Sequence, residues 1–434
     1  MKFNTTSFLM PDYAISINQY SVIADPTFSK ERPLQTGNAM KKNIIFLSGM
    51  IFSSVGHASA LYFYEVGTED TALAGAGQAA RAQDASTLLT NPAGMTRLPD
   101  HMVSGGLQAM GGDIPYTLNN TTDGRQSPGN VMTLFPNASM FYTQRLSDTV
   151  SAGLGLYGNY GLGIDFGNWA GDRLIKQSTM VAMTLSPAVA WKLSDKVSVG
   201  AAAGLNYGFL SLSRDVDGHD EKQSDHDWAM NYHLGLLMDL TDKTRAGVTW
   251  TSKTDYHFNI DGTARFPNIP NIGYDLPIST QVRAPQQVMF SLVHDINSQW
   301  SVMGDLGWQD WSQFGSPQIT INGQQSDRDN RLKDTWHTAL GVQYHPDEQW
   351  RINAGIAYDS SPYKSQSDVA LSMPTGDEWR LATGAQYQIT PASNIGVAVE
   401  YLHMQSSNVK SDIFAGQYKN PWLWFASVNY SYQF

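Results

Sequence analysis

Acidic and imidazole side chains crowd between positions 215 and 227, where their spacing could do chemistry. Asp215-Val-Asp-Gly-His-Asp-Glu221 and Asp225-His-Asp227 place carboxylates at alternating positions, as calcium loops do. No full ligand pattern with a closing Glu follows. A hydrated, acidic outer loop is the better reading, and no metal or cofactor is expected. His233, His294, His337 and His403 fall on segments that read as strands. A membrane-embedded phospholipase would need a Ser and a His close together on such a wall, and none of the four comes with a recognisable nucleophile motif. No enzyme is expected, and these histidines are read as facing a lumen or an interfacial belt.

The elements that carry these residues are strands. From Trp424 to Phe434 every second residue (Trp424, Ala426, Val428, Tyr430, Tyr432, Phe434) makes one apolar face. Phe425, Ser427, Asn429, Ser431 and Gln433 make a mostly polar one, which is the signature of an extended strand. It ends on an aromatic at the terminal carboxylate, as closing strands of outer-membrane barrels usually do. Val197 to Phe209, Trp350 to Tyr358 and Trp300 to Trp308 alternate in the same way.

Short turns rich in Asp, Asn and Ser recur at 146–149, 193–196, 240–243, 296–299, 346–349 and 390–394, where such side chains bond to nearby backbone. Longer polar stretches lie near 113–130, 167–177, 214–226, 262–281, 314–331, 361–376 and 406–421. Six turns and seven loops predict fourteen strands, an even number with short turns on one side and long loops on the other. The expected fold is all-β: a 14-stranded antiparallel transmembrane barrel over residues 100–434, in the cell outer membrane of a Gram-negative bacterium.

Composition agrees. No Cys is present, so an exported chain of 434 residues must hold together without disulfides. Mean hydropathy is −0.31 and no later segment nears twenty apolar residues, which excludes a helical membrane protein. A net charge of −11 argues against nucleic acid. Twelve Trp and 20 Tyr suit interfacial girdles.

At the N-terminus, Met40-Lys-Lys42, an apolar run from Asn43 to Val55 and Gly56-His-Ala-Ser-Ala60 read as a signal peptide over 40–60. Residues 1–39 read as an unstructured upstream extension from a misassigned start, the alternative being a leader of unknown purpose. Residues 61–99 are rich in Ala and Gly and lack alternation. They are expected to form short helices and turns, either a periplasmic tail or a plug in the lumen, and small residues with few charges favour the plug.

Gly-rich helices leading to Asn91-Pro92-Ala93 and then a fourteen-strand barrel resemble the FadL family of outer-membrane long-chain fatty-acid transporters. Asn159-Tyr-Gly-Leu162 with Asp165-Phe166, Trp311-Ser-Gln-Phe314, Leu332-Lys-Asp-Thr335 and Gly355-Ile-Ala-Tyr-Asp-Ser-Ser-Pro362 carry the likeness further, across essentially all of Leu61 to Phe434. The resemblance implies passive transport of long-chain fatty acids or similar hydrophobic molecules. A plug, or hatch, shifts and the ligand leaves sideways through a kink in the third strand. It assigns Asn91, Pro92, Ala93, Leu61, Tyr62 and Phe63 to the hatch and Asn159, Tyr160 and Gly161 to the lateral opening. Basic pocket residues for a ligand carboxylate fall at Arg214 and Lys333, which Asp215 or Asp334 could hold in position; ordinary solvated ion pairs are the alternative. An aromatic-hydrocarbon channel of the same family would not need these charges. A general porin needs an open lumen, which the plug disfavours. The implied partners are the hydrophobic ligand, outer-membrane lipid and the barrel-assembly machinery, with the protein working as a monomer.

The kink has an independent argument. Pro136 and Pro187 lie inside segments that read as strands two and four, and proline cannot donate to a ladder. Paired residues in a hairpin have a constant sum. The turn near 147–148 then sets Pro136 opposite about residue 159, and the loop near 172 sets Pro187 opposite about residue 157. Both prolines would face Tyr157 to Gly161. The segment Phe266 to Leu276, with Phe266, Ile269, Ile272, Tyr274 and Leu276, suits an external capture groove or simple packing against neighbouring loops.

Overall fold

A computed structural model of the chain describes residues 64–119, 126–173, 175–216, 218–265, 273–314, 320–321, 324–325, 331–410 and 415–434. The extension over 1–39, the signal peptide over 40–60, and Leu61, Tyr62 and Phe63 lie outside the described residues.

Fourteen strands form the wall: β1 (His101–Asp113), β2 (Phe135–Arg145), β3 (Val150–Asp165), β4 (Gln177–Lys192), β5 (Val197–Val216), β6 (His219–Thr241) and β7 (Thr244–Thr251). They continue as β8 (Gln287–Asp295), β9 (Trp300–Gln309), β10 (Thr335–Tyr344), β11 (Trp350–Asp359), β12 (Glu378–Thr390), β13 (Ser393–Met404) and β14 (Trp422–Gln433). Each pairs antiparallel with its neighbours in sequence, and β1 closes the barrel on β14, from Met102 opposite Gln433 to Asp113 opposite Trp422. Closure leaves no open edge, which hydrocarbon would not tolerate.

The six expected short turns all join consecutive strands at one end. At the other end several of the expected loops carry ordered sheet. The stretch 214–226 is not a loop: β5 and β6 run on as a ladder, Arg214 opposite Glu221, to bounds only two residues apart. Gly218 there has φ +84, a conformation glycine adopts without cost. Above the membrane both faces of that hairpin are polar, so no period-2 pattern marks it. The segment after β7 forms a ribbon, Thr254–Arg265 paired with Gly273–Ala284. A small sheet of Pro115–Leu118, Gly129–Asn130, Ser407–Lys410 and Ala415–Tyr418 covers another part of the rim.

The expected faces of β14 hold: Val428, Tyr430, Tyr432 and Phe434 are exposed outward and Phe425, Ser427, Asn429 and Ser431 are buried inward. Around the wall, exposed Leu, Val, Ile and Met fill a band between two aromatic rows. Trp300 stacks on Tyr344 at 4.4 Å, and Trp350 tilts against Tyr387 at 4.7 Å, near the short-turn end. Tyr358 meets Trp379 at 5.0 Å near the long-loop end. On β9, β10, β11 and β12 the two aromatics (Trp300/Trp308, Trp336/Tyr344, Trp350/Tyr358, Trp379/Tyr387) stand eight residues apart. At about 3.3 Å per residue and about 40° of tilt, the rows are ~20 Å apart in height, which fits the apolar band of an outer-membrane barrel.

Leu340 lies midway between Trp336 and Tyr344 and is 68% exposed. Leu340→Arg is expected to cost about 2–4 kcal/mol of stability, measured by urea-dependent folding into lipid vesicles. An unchanged midpoint would place this face out of the lipid.

Candidate functional site: a plugged lumen and a gap in its wall

The segment ahead of β1 folds inside the lumen as α1 (Thr68–Ala72), α2 (Thr87–Thr90) and a 3-10 turn over Pro92–Arg97. Its Ala- and Gly-rich sequence has a physical use, since its main chain touches the wall directly. A methyl group on Gly247 would overlap the carbonyl of Ala79, and one on Gly355 would overlap that of Leu73. On Gly384 and Gly341 it would come within 2.6 Å of Ala72 Cβ and 2.8 Å of Ala76 Cβ. Hatch backbone then bonds to wall side chains: Gly77 N donates to Asp305 at 2.8 Å and Ala79 N to Ser291 at 2.9 Å.

Asn91-Pro92-Ala93 is the knot of this segment. Asn91 is 1% exposed. Its amide donates to Ala79 O (2.6 Å) and to Leu236 O of β6 (3.1 Å), while its Oδ1 accepts from Ala93 N (3.0 Å) and caps the 3-10 turn. Pro92 takes the first position of that turn, where no N–H is required. Ala93 lies against Gly200 of β5, where any side chain would collide with it.

Sequence reasoning missed a buried ionic cluster at the start of the hatch. Arg380 on β12 pairs with Glu65 of the hatch, Asp359 (2.8 Å), Glu378 (3.1 Å) and Glu400 (3.2 Å). His337 joins through Asp359 at 2.8 Å. Tyr64 packs its ring on His337 at 4.5 Å and lies 5.5 Å from the Arg380 guanidinium carbon, and its hydroxyl accepts from Gln309 at 2.9 Å. A small polar cavity opens beside Tyr64, Gln309, Asp359 and Arg380. One level nearer the short turns, Arg351 pairs with Glu69 of α1, and Asn353 donates to the same carboxylate at 2.8 Å. The available signal was charge at positions that alternation turns inward, Glu378 and Arg380 on one strand and Glu400 on the next.

Towards the long loops the lumen becomes apolar. Leu162 and Ile164 of β3, Phe166, Trp169, and Tyr256 and Phe258 of the ribbon belong to one buried cluster. Next to it the wall is incomplete. The β2–β3 ladder runs from Arg145 opposite Ser151 to Ser139 opposite Tyr157 and ends there. Beyond it Asn137 Nδ2 donates to Gly158 O at 2.7 Å, Thr133 Oγ1 donates to Gly163 O at 3.0 Å, and Met132 bridges Ile164. On the other side of β3 the register with β4 slips between Tyr157 and Tyr160, leaving Gly158 and Asn159 unpaired. Tyr160 and Gly161 are buried beside the slip.

Pro136 stands in the part of β2 that has lost its ladder to β3, while still in register with Ala109 of β1. Pro187 does not face Tyr157 as its sequence position suggested. It is opposite Leu154, three residues lower, because the slip at 158–159 and the loop before β4 shift the pairing sum. Its own interruption is on the far side, where the β4–β5 ladder lapses between Leu185/Leu205 and Ala188/Ala202.

Arg214 and Lys333 are not brought together; β6 to β9 separate them along the rim. Arg214 pairs with Glu221 at 3.1 Å rather than with Asp215, whose carboxylate accepts from Gly218 N at 3.0 Å. Lys333 is exposed, with its main-chain N donating to Pro362 O at 2.7 Å. Asp334 accepts from Trp308 Nε1 (3.1 Å) and Ser312 N (3.0 Å). Asp225 and Asp227 do not sit on a hydrated loop: they accept from the backbone of Asn259 (2.6 Å) and His257 (2.7 Å), fastening the ribbon to β6. Burial alone would raise Asp255 on that ribbon, but hydrogen bonds from Arg283 and Lys253 outweigh it and hold the carboxyl below its usual range. Burial pushes the Tyr256 phenol upward, so it stays a neutral donor.

Three of the strand histidines contact polar partners across the wall: His233 with Thr251 (2.7 Å), His294 with Thr244 (2.9 Å) and His337 with Asp359. His403 is half-buried on β13. No cluster of metal-ligating side chains occurs among the described residues. Of the proposed capture segment, 266–272 lies outside the described residues, as do the side chains of Tyr274 and Leu276.

A closed barrel with lipid-facing girdles, a plugged lumen and an apolar cluster of side chains beside a wall gap defines an outer-membrane transporter of hydrophobic compounds. The chain belongs to the family described as outer membrane protein transport protein (OMPP1/FadL/TodX), which it matches over residues 49–434. These are transport proteins and not enzymes. The long-chain fatty acid transport protein of Escherichia coli strain K12 is 21% identical, over 91% of this chain and 98% of that one. Outer membrane protein P1 of Haemophilus influenzae is 22% identical over 84% and 90%. A Pseudomonas aeruginosa FadL homologue shares the fold with a TM-score of 0.72 at 17% identity, covering 86% of this chain and 99% of its own. The P. putida toluene transporter TodX does so with a TM-score of 0.68 at 18% identity, covering 85% and 98%.

Gly247→Val should unseat the hatch, with an overpacking cost of about 1–3 kcal/mol. The expected result is faster proteolytic cutting of the hatch and a several-fold higher ion conductance in planar bilayers. Wild-type conductance in a folded variant would show that the close contact does not hold the plug.

Proposed function

We propose that this protein admits long-chain fatty acids or similar hydrophobic molecules across the outer membrane by passive lateral diffusion. The ligand is collected among the outer loops, rests against the apolar cluster, and leaves between β2 and β3 once the hatch shifts. The observation that carries this reading is the adjacency of the buried apolar cluster to the place where the β2–β3 ladder stops. A hydrocarbon tail needs apolar lining, and where the ladder lapses a few side-chain bonds, such as Asn137 to Gly158 O and Thr133 to Gly163 O, stand in for the backbone ladder and are fewer to break. Neither step needs an energy source. The hatch, including its expected first residues Leu61, Tyr62 and Phe63, would block free diffusion, which disfavours a general porin. The same reading takes residues 40–60 as a signal peptide, and the assembled protein as a monomer in outer-membrane lipid delivered by the barrel-assembly machinery.

A second reading, uptake of aromatic hydrocarbons, draws on the ion pairing of Arg214 with Glu221, since a neutral ligand needs no cation. Labelled oleate and labelled toluene separate the two in Gram-negative cells lacking their own importer and expressing residues 40–434. Oleate uptake that falls in Arg214→Ala or Lys333→Ala would establish a fatty-acid route with a cationic head-group site. Toluene uptake insensitive to both would establish the hydrocarbon route.

The exit has its own test, helped by the absence of native cysteine. A Cβ placed on Gly158 would lie 2.8 Å from Asn137 Oδ1, so Asn137→Cys with Gly158→Cys should form a disulfide across the gap. Oxidation is expected to reduce uptake to background while ligand binding persists, and reduction should restore uptake. Full uptake through the cross-linked protein would sink the lateral exit.

A further inference from the structure

The ribbon beginning at Thr254 turns alternate residues towards the apolar cluster. Thr254 and Tyr256 are 0% exposed, as is Phe258, and Ile260 is 3% exposed. Two of these four carry hydroxyls, and neither Thr254 Oγ1 nor Tyr256 Oη has a hydrogen-bond partner among the described residues. Buried hydroxyls are almost always partnered, so two orphans two residues apart on one face call for an explanation.

Their place in the wall register supplies one. Tyr160, at the slip in β3, is opposite Ala182 of β4, and Ala182 is opposite Gly208 of β5. Gly208 in turn is opposite Asp227 of β6, which accepts from His257 N of the ribbon. The Tyr256 ring lies directly on Gly208, where a methyl group would come within 2.6 Å of Tyr256 Cδ1. The bare glycine therefore lets the phenol settle on the inner wall two strands from the gap. Its neighbours Phe258, Leu210 and Tyr160 belong to the same buried cluster. Phe258 and Leu210 are suited to an alkyl chain and provide nothing for that hydroxyl to bond.

We propose that Tyr256, with Thr254 beside it, is a subsite that hydrogen-bonds the oxygen-bearing end of a hydrophobic ligand lodged next to the gap. Its chemistry is that of a neutral donor. It recognises an acceptor oxygen, whether of a carboxyl group or of an ester, and gives no advantage to a plain hydrocarbon. The subsite is distinct from the rim cations Arg214 and Lys333, which would read charge. It rests on the reading of the protein as a transporter with a lateral exit.

The test is equilibrium binding of radiolabelled oleate, methyl oleate and 1-octadecene to purified full-length barrel, wild type against Tyr256→Phe, with cell uptake of the same three probes. The variant keeps the ring, and its folding is checked by heat-modifiable migration on gels. Expected is a loss of about five- to tenfold in affinity for oleate and for methyl oleate, the scale of one hydrogen bond, with octadecene unchanged. Thr254→Val should give a smaller loss with the same pattern. Unchanged oleate affinity in Tyr256→Phe, or an equal loss for all three probes, would overturn the subsite. So would a loss for oleate without one for methyl oleate, which would mean that charge is recognised. Wild-type uptake of none of the three would instead remove the transport reading, and the subsite with it.

Discussion

The hatch can fill the lumen only if its main chain lies almost on the barrel wall, and that proximity governs the rest of the interior. Side chains on both surfaces would hold them apart by several ångströms and leave space for water. Glycine at 200, 247, 355 and 384 removes the obstacle on the wall side, and the run of Ala and Gly between Thr71 and Ala80 removes it on the hatch side. Contact at that distance exposes hatch backbone donors directly to Asp305 and Ser291, so a segment with little regular secondary structure still pairs main-chain donors at Gly77 and Ala79. Asn91 does the same work from within, joining Ala79, Ala93 and the β6 carbonyl of Leu236.

Charge is placed with comparable economy. Arg380 gathers carboxylates from three strands and from Glu65, so the first described turn of the hatch is fastened to the wall by ions as well as by the packing of Tyr64 on His337. A buried guanidinium is tolerable only with such partners. The ionic cluster sits on the long-loop halves of β10 to β13, at the same end of the lumen as the apolar cluster. The gap between β2 and β3 adjoins the apolar one. Its loose ends are still partly met by side chains, Asn137 reaching Gly158 and Thr133 reaching Gly163.

How much of this could be read from the chain depends on what each residue faces. Lipid on one side forces strict alternation, so the terminal strand and the six turns were legible, and with them the strand count. Where both faces meet water the pattern vanishes, and the β5–β6 hairpin looked like an acidic loop. The expected β3 partner of Pro136 is missing because the β2–β3 ladder stops at Ser139, and Pro187 is displaced because the loop before β4 and the slipped residue together move the pairing sum by three. The pairing of Arg380 with Glu65 was invisible for another reason. Glu65 is 315 positions away, and no local pattern announces a partner at that distance.

The fastening of the ribbon to β6 has an evolutionary side. Asp225 and Asp227 grip main-chain N–H groups at His257 and Asn259, and every residue except proline offers the same N–H. The attachment is thus indifferent to the ribbon's own side chains. Positions 254, 256, 258 and 260, which face the apolar cluster, can change their chemistry without loosening the anchor or disturbing the barrel. One scaffold could in this way acquire new ligand preferences by editing a few alternate positions of an appended strand.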